Sequence, residues 1–455
     1  MNKKNIAKIG LLSATAIVVA NMVGTGVFTS LGFQLFGIKS AFSILILWFI
    51  GGIVALCGAF SYGELGAALP RSGGEYHFLS KTYHPLVGFL SGWISLSVGF
   101  SAPIAAAAVA MGKYSSEVLK DINVISADEA SMWKIIIAVS IVVVVSIIHL
   151  SSINVIKKFQ NIFTGLKISL ILILIICGFI LADGQDITFL PIPGKDGSWS
   201  QIFSSSFAIS LVFVMYSYSG WNASSYIINE IKNPSKNLPW SLFLGTLIVM
   251  LLYIPLNAVL LYAAPVNELM GQEEVAYIGA QYIFQNTFLG QYGGIIMGLL
   301  ISIGLISAIS SMIWAGPRVT HVMSEDTKIL NFLSRKNKNN VPSIAILLQA
   351  LIVITLILTS TFESIIIYIG FTLSLSSFLT VLGVIVLRYK RPELERPYKT
   401  FLYPVSNLIF LAVTGWMMYY VLLDKPLQSI IGLATISLGA VIYYINKYYT
   451  NRATK

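Results

Sequence analysis

The sequence predicts an all-α polytopic membrane protein with twelve transmembrane helices, the first and sixth of them broken near mid-span. Three observations predict it. Hydrophobic residues make up 56% of the 455 and charged residues 11%, with a mean hydropathy of +0.80, whereas a soluble domain carries about a quarter charged residues. The apolar residues fall in runs of about 20, the length that crosses the hydrocarbon core as a helix. Two of those runs are interrupted, one by Gly24-Thr25-Gly26 and the other by Ser217-Tyr218-Ser219-Gly220. An unpaired backbone polar group in hydrocarbon costs several kcal/mol, so such breaks survive only where they line a cavity or bind something. Each opens a five-helix half of the chain, and paired breaks at corresponding positions point to the solute site of a secondary transporter.

The runs are placed near 10–34, 41–66, 86–111, 134–150, 158–182, 203–230, 240–263, 292–322, 343–360, 363–388, 402–422 and 427–447. The shorter stretches 70–84 and 275–290 read as interfacial helices. Basic residues test the count, because cytoplasmic loops carry an excess of Lys and Arg. With the N-terminus in the cytoplasm, 22 fall on the cytoplasmic side, including Lys3, Lys4, Lys8, Lys157, Lys158, Arg388 and Arg391. Only 6 fall outside: Lys39, Lys113, Lys120, Lys134, Lys195 and Lys425. A missed span would scramble that asymmetry. The reading is a multi-pass protein of the cell (inner) membrane with both termini cytoplasmic. The net charge of +10 is then a topological signal and no argument for a nucleic-acid partner. The basic N-terminus resembles a signal peptide, but no small-residue cleavage site follows by Phe28, so the stretch reads as a retained helix. Cys57 and Cys177 both lie inside spans, which leaves no disulfide framework and no metal site, and no cofactor is implied. No linker or charge block divides the chain, so it reads as a single integral membrane domain over 1–455.

Several stretches resemble a known family. Tyr62-Gly63-Glu64-Leu65-Gly66 through Pro70-Arg71-Ser72-Gly73-Gly74-Glu75-Tyr76, then Pro85-Leu86-Val87-Gly88-Phe89-Leu90-Ser91-Gly92-Trp93, is similar to the second-to-third-helix signature of the amino acid–polyamine–organocation permeases. Asn21-Met22-Val23-Gly24-Thr25-Gly26-Val27-Phe28 resembles their first-helix motif. Tyr216 through Asn222, with Asn229-Glu230-Ile231-Lys232-Asn233-Pro234 and Asn237-Leu238-Pro239, resembles their sixth-helix motif. Within the superfamily the likeness is to the L-type and serine/threonine-exchanger branch. It implies a LeuT-like five-plus-five inverted repeat, over about 10–182 and 203–388, with trailing helices over about 402–447. The activity it implies is alternating-access transport of amino acids, as sodium-independent exchange or proton symport, with no enzyme chemistry. Residues 112–133 contain no Cys, so the disulfide-linked heavy chain of the animal L-type relatives is not expected.

An amino acid zwitterion needs donors for its carboxylate and acceptors for its ammonium, and a broken helix supplies both. The N–H groups of Thr25, Gly26 and Val27, at the positive end of the second half-helix, are assigned to the carboxylate. Carbonyls near Ala20 and Asn21, with those around Tyr216 and Ser219, are assigned to the ammonium. Gly24 and Gly26 permit close backbone approach. The resemblance makes Tyr216 an aromatic gate, and the small Ser217 and Ser219 leave room for a side chain. Asn222 is expected to hydrogen-bond across to the first break. The competing reading of the glycines is tight helix packing.

Lys167 stands nine residues beyond Lys158, roughly 13 Å into the membrane at about 1.5 Å per residue. An ionisable group there is a functional hypothesis by default. The resemblance implies that its ammonium replaces a sodium ion, contacting carbonyls near Gly24 and hydroxyls among Ser307, Ser310 and Ser311. The competing reading is snorkelling to the interface. Glu64, Arg71, Glu75, Glu230 and Lys232 read as charges in cytoplasmic loops, either an inner gate or solvated. No acid is placed at mid-membrane depth, which favours neutral L-amino acids, with the proton as the second candidate substrate. A polyamine or cationic amino acid is the alternative substrate class, and a channel or membrane enzyme the remote one.

Overall fold

The computed structural model describes residues 9–151, 153–194, 197–290, 292–338, 341–360 and 362–452, and these are all-helical apart from one isolated bridge. Lys3, Lys4, Lys8 and Lys195 of the charge count lie outside the described residues, as do the side chains of Lys157 and Lys158. The first span is two helices, α1 (Leu11–Met22) and α2 (Gly26–Gln34), followed by α3 (Ala41–Ala68). The short α4 (Glu75–Thr82) precedes the third span, which runs α5 (Pro85–Ile94), a π-turn over Ser95–Gly99, and α6 (Ser101–Asp121). Next come α7 (Ala130–His149), α8 (Ile153–Leu181) and the short α9 (Ser198–Ile202). The sixth span is α10 (Ser205–Ser217) and a 3-10 segment, Ala223–Glu230. It is followed by α11 (Pro234–Ala263), α12 (Val266–Leu269), α13 (Val275–Phe284), α14 (Tyr292–Glu325), α15 (Ser343–Thr359), α16 (Phe362–Lys390), α17 (Val405–Asp424) and α18 (Pro426–Arg452).

Every one of the twelve expected spans meets a helix. Ten helical stretches are long and apolar enough to cross a bilayer, and α10 and α15 are shorter apolar helices. The sixth span is broken as expected, and its second half is a 3-10 segment kinked at Ile227. The third span instead runs past its expected end, to Asp121. There Lys113 pairs with Glu117 at 3.0 Å and Glu274 at 3.3 Å, so the helix continues on its own ion pairs. Local chemistry sets other boundaries. Pro85 sits in the first turn of α5, with His84 Nδ1 accepting from Leu86 N–H, and Ser40 Oγ caps α3. The π-turn falls four residues before Pro103, which has no N–H to give the Gly99 carbonyl.

Apart from a smaller cluster that gathers Tyr76, Phe89, Leu96, Met323, Leu330 and Leu333, the core is one main apolar cluster in which α3 packs on α11, α10 and α17, α1 packs on α11, and α14 packs on α6 and α7. One polar knot ties its lower rim. Glu64 on α3, 2% exposed, accepts two bonds from Arg388 at 2.6 and 2.8 Å, lies 3.3 Å from Arg396 Nε, and accepts both Thr400 N–H and Oγ–H at 2.7 Å. The expectation of a loop charge at Glu64 is therefore corrected: it is a buried anion pinning the last turn of α16 and the following loop to α3.

Removing one partner of a buried ion pair costs about 3–5 kcal/mol, because the other charge is left stranded. Glu64→Gln should accordingly lower the thermal unfolding midpoint of the detergent-solubilised protein well below that of Glu64→Asp. A Glu64→Gln protein that melts with the wild type would remove this anchor from the account.

Candidate substrate site

The two breaks meet. α1 ends at Met22, Val23 leaves the helical region with ψ 86°, and α2 restarts at Gly26. Opposite, α10 ends at Ser217 and the chain turns through Gly220 at φ +94°. A Cβ on Gly220 would lie 2.9 Å from the Asn21 backbone, and one on Gly26 would lie 2.4 Å from Ser217 Oγ. Both closures need glycine. Across the seam Thr25 Oγ1 and Tyr216 OH are 2.9 Å apart, and Ser30 Oγ and Ser217 Oγ 3.1 Å. Thr25, Gly26 and Val27 head α2, so their N–H groups have no carbonyl one turn back to bond.

The carbonyls at the end of α1 are already claimed. Lys167 on α8 is 1% exposed, and its Nζ donates to Val23 O at 2.5 Å and Ala20 O at 3.2 Å. An ammonium there matches the negative end of the half-helix dipole. Its stem passes Gly304 on α14, where a Cβ would come within 3.4 Å. This burial is incompatible with snorkelling. Of the hydroxyls expected around it, Ser310 Oγ lies 3.3 Å from His149 Nε2 and Ser311 Oγ donates to Ala308 O, while Ser307 is buried on the same helix. Sequence reasoning missed Tyr253 on α11. Its hydroxyl lies 2.7 Å from Met22 O and 3.2 Å from Ser217 O, so it serves the carbonyl ends of both breaks. Nothing in its apolar neighbourhood, Leu251-Leu252-Tyr253-Ile254, announces that role.

A cavity opens beside the seam. Of the expected residues it brings together Asn21, Tyr216, Ser219 and Asn222, with Phe100, Met312, Ile369 and Leu373 supplying apolar wall. Gly24, Thr25, Gly26, Val27 and Ser217 lie in the seam itself. Ala20 and Asn21 face a second cavity, bounded by α1, the 3-10 segment and α14 and crossed by the Glu230–Arg318 pair at 3.5 Å. Asn222 does not reach the first break. Its Nδ2 donates to Glu75 Oε1 at 2.5 Å and lies 3.0 Å from Tyr226 OH.

That contact overturns the reading of Glu75 as a loop charge and of the cavity as free of acids. Gly73 and Gly74, at φ +117° and +53°, fold the chain back so that α4 enters the bundle against α16. Glu75, at its first position, is 5% exposed and lines the cavity. The signal was the Gly-Gly pair ahead of an acid, which marks a sharp re-entry and not a solvated loop.

A profile of the amino acid permease family matches residues 9–444. The chain belongs to the amino acid permease family. The mouse large neutral amino acids transporter small subunit 2 is 28% identical over 98% of this chain and 82% of its own length. The mouse b(0,+)-type amino acid transporter 1 is 27% identical over 97% of this chain and 88% of its own, and the mouse Asc-type amino acid transporter 1 is 27% identical over 98% and 82%. The permease is thus an amino acid transporter of the twelve-span, LeuT-like class, not an enzyme. Among the described residues no group of His, Cys, Asp and Glu is arranged to hold a metal ion.

In such a permease Gly26 is irreplaceable on steric grounds as well as chemical ones. Gly26→Val, correctly inserted, should lose amino acid transport to background, because its side chain must displace Ser217 backbone. Transport at the wild-type rate would show that the seam plays no part in holding the substrate.

Proposed function

We propose that this permease carries neutral L-amino acids by sodium-independent exchange, with the proton as the other ion of the cycle. The observation that supports it is the opposition of two broken helices over one small, mostly apolar cavity. The substrate carboxylate sits on the N–H groups of Thr25, Gly26 and Val27, which no carbonyl of their own helix satisfies. The ammonium sits against the carbonyls of Asn21 and Ser219, since Ala20 already accepts Lys167 and Tyr216 already accepts the Ser219 N–H. Tyr216 closes over the ligand, and its 2.9 Å contact with Thr25 joins the two half-helices across the site. The side chain projects toward Phe100, Met312, Ile369 and Leu373, an apolar wall that suits an uncharged group.

Sodium independence is supported by the Lys167 ammonium, which occupies the carbonyl end of α1 where a metal cation would otherwise be held. The halves 10–182 and 203–388 are proposed as the repeats that rock about the site, alternately opening either cavity. The basic-residue asymmetry supports a cell-membrane protein with cytoplasmic termini. The relatives include a protein named as a small subunit. Here the sole cysteines are Cys57, buried, and Cys177, both within membrane helices, which supports a permease without a disulfide-linked partner.

The test is uptake of labelled neutral amino acids into proteoliposomes, empty or preloaded, with and without sodium and with and without a proton gradient. Exchange predicts uptake only into preloaded vesicles and no effect of sodium. Lys167→Ala should cut that exchange at least ten-fold, because two buried carbonyls lose their donor and α1 its cation. Sodium-dependent uptake, or a Lys167→Ala protein with unchanged transport, would overturn the reading.

A further inference from the structure

The cavity contains one ionisable group that the transport scheme above does not use. Glu75 Oε1 accepts from Tyr62 OH at 2.8 Å and from Asn222 Nδ2 at 2.5 Å. Its other oxygen, Oε2, is buried with no hydrogen-bond partner among the described residues. No cation answers it. Tyr62 on α3 and Tyr226 on the 3-10 segment are the titratable groups that face it, and both are neutral phenols. On its own helix, Tyr76 donates to Asp326, and His77 follows it in sequence. α5 carries no titratable side chain. On α16, Glu363 pairs with Lys425 and Arg388 with Glu64, and on α14, Arg318 pairs with Glu230 and His321 with Glu325.

We propose that Glu75 is a proton-binding site of the transport cycle, and that the loaded cavity closes only with this carboxyl neutral. The inference rests on the amino acid transport proposed above. An ionised carboxylate needs several donors or a cation when taken out of water, and Glu75 has only neutral donors around it, with the two closest, Tyr62 and Asn222, on one oxygen. Protonation of Oε2 removes the charge and turns the orphan acceptor into a donor aimed into the cavity, toward an oxygen of the substrate or of water. While the cavity is open, water solvates the anion. As it closes around a neutral amino acid, that water leaves and the proton must be present. The proton comes from the aqueous phase to which the cavity is open and returns to the phase on the side where it next opens. Each loaded crossing therefore carries one proton with one amino acid. In exchange the two proton movements cancel, so the rate of exchange follows pH while a proton gradient drives no net substrate movement.

The sign of the pH dependence follows. Burial pushes the Glu75 carboxyl above the usual carboxylate range. The competent, protonated form is populated below that raised value and lost as pH rises through it, so transport should fall toward alkaline pH. Glu75→Gln mimics the neutral acid in shape and charge.

The experiment is amino acid exchange in preloaded proteoliposomes over a range of about pH 5–9, which extends above the ordinary carboxylate range, for wild type, Glu75→Gln and Tyr62→Phe. It is paired with infrared difference spectra of the purified proteins over the same range. The expected result is wild-type exchange that falls at least five-fold toward alkaline pH, and a pH-independent rate in Glu75→Gln. The spectra should show a protonated-carboxyl band that is lost with rising pH in the wild type and absent from Glu75→Gln. Tyr62→Phe removes a donor to the carboxylate and should move the midpoint upward, which keeps the test alive if Glu75→Gln is not recovered. A Glu75→Gln profile superimposed on the wild type, a carboxyl band indifferent to Glu75, or an unmoved Tyr62→Phe midpoint would overturn the proposal. Absence of amino acid transport in the wild type, with the Glu75 band present and titrating, would sink the transport reading while leaving the proton site in place.

Discussion

The structure is organised around a single cost, that of backbone polar groups left without partners inside a bilayer. Two helices are broken where hydrocarbon would penalise every freed N–H and C=O. The protein satisfies the carbonyl ends with its own side chains. Lys167 takes Ala20 and Val23, and Tyr253 takes Met22 and Ser217. The N–H groups at the head of α2 have no carbonyl one turn back, and in the proposed function they are the ones that meet the substrate. That asymmetry has a physical reason. A carbonyl end carries partial negative charge, and a tethered ammonium or a hydroxyl meets it permanently. A positive N-terminal end is matched by an anion, and an amino acid brings its own carboxylate.

Because the seam is held by short contacts on glycine, its rearrangement must be of whole helices and not of single side chains. α1 is fastened to α11 through Tyr253 and to α8 through Lys167, and its N-terminal lead is stitched to the 3-10 segment by Ile9 N–H to Glu230 O and Lys232 N–H to Ile9 O. The Glu230–Arg318 pair then bridges that segment to α14 over the second cavity. α1 and the 3-10 segment are thus bound to each other as well as to α14, and the Glu64 knot separately ties α3 to α16.

Much of this was legible in the sequence because the bilayer is so unforgiving a solvent. The twelve apolar runs each correspond to a helix, and both glycine breaks fall within a residue or two of where the chain leaves helical geometry. Lys167 stood out because an ammonium has few places to go at that depth. What was not legible depended on the path of a loop or on a partner far away in sequence. Glu75 looked like a loop charge because nothing local says that Gly73-Gly74 sends α4 inward. Asn222 was aimed at the first break by proximity in the motif, yet its partner is that same Glu75, 147 positions earlier. Tyr253 was invisible because one hydroxyl on an apolar helix carries no periodic signature. Ser310 and Ser311 were rightly placed on the eighth span, but a serine in a helix has competing acceptors one turn away or on a neighbour, and these took them.

Two ionisable groups consequently flank the broken first helix, and their surroundings assign them different tasks. Lys167 meets two carbonyls at the negative end of a dipole, an environment that suits an ammonium donor. Glu75 meets neutral donors, Tyr62 and Asn222, on one oxygen, while the other is buried without a hydrogen-bond partner among the described residues, an environment that is complete for neither protonation state. A site satisfied in one state is a structural element; a site unsatisfied in the closed, dry state is sensitive to whatever enters the cavity. The substrate or water that fills the cavity decides what Oε2 meets, and the charge on Glu75 decides in turn what the cavity will accept. By linkage, each must then bias the other's occupancy by the same factor. The acid is on α4, packed against α16, and the ammonium is on α8, against the carbonyl end of α1, so the two charges sit on different helices at the two sides of the seam.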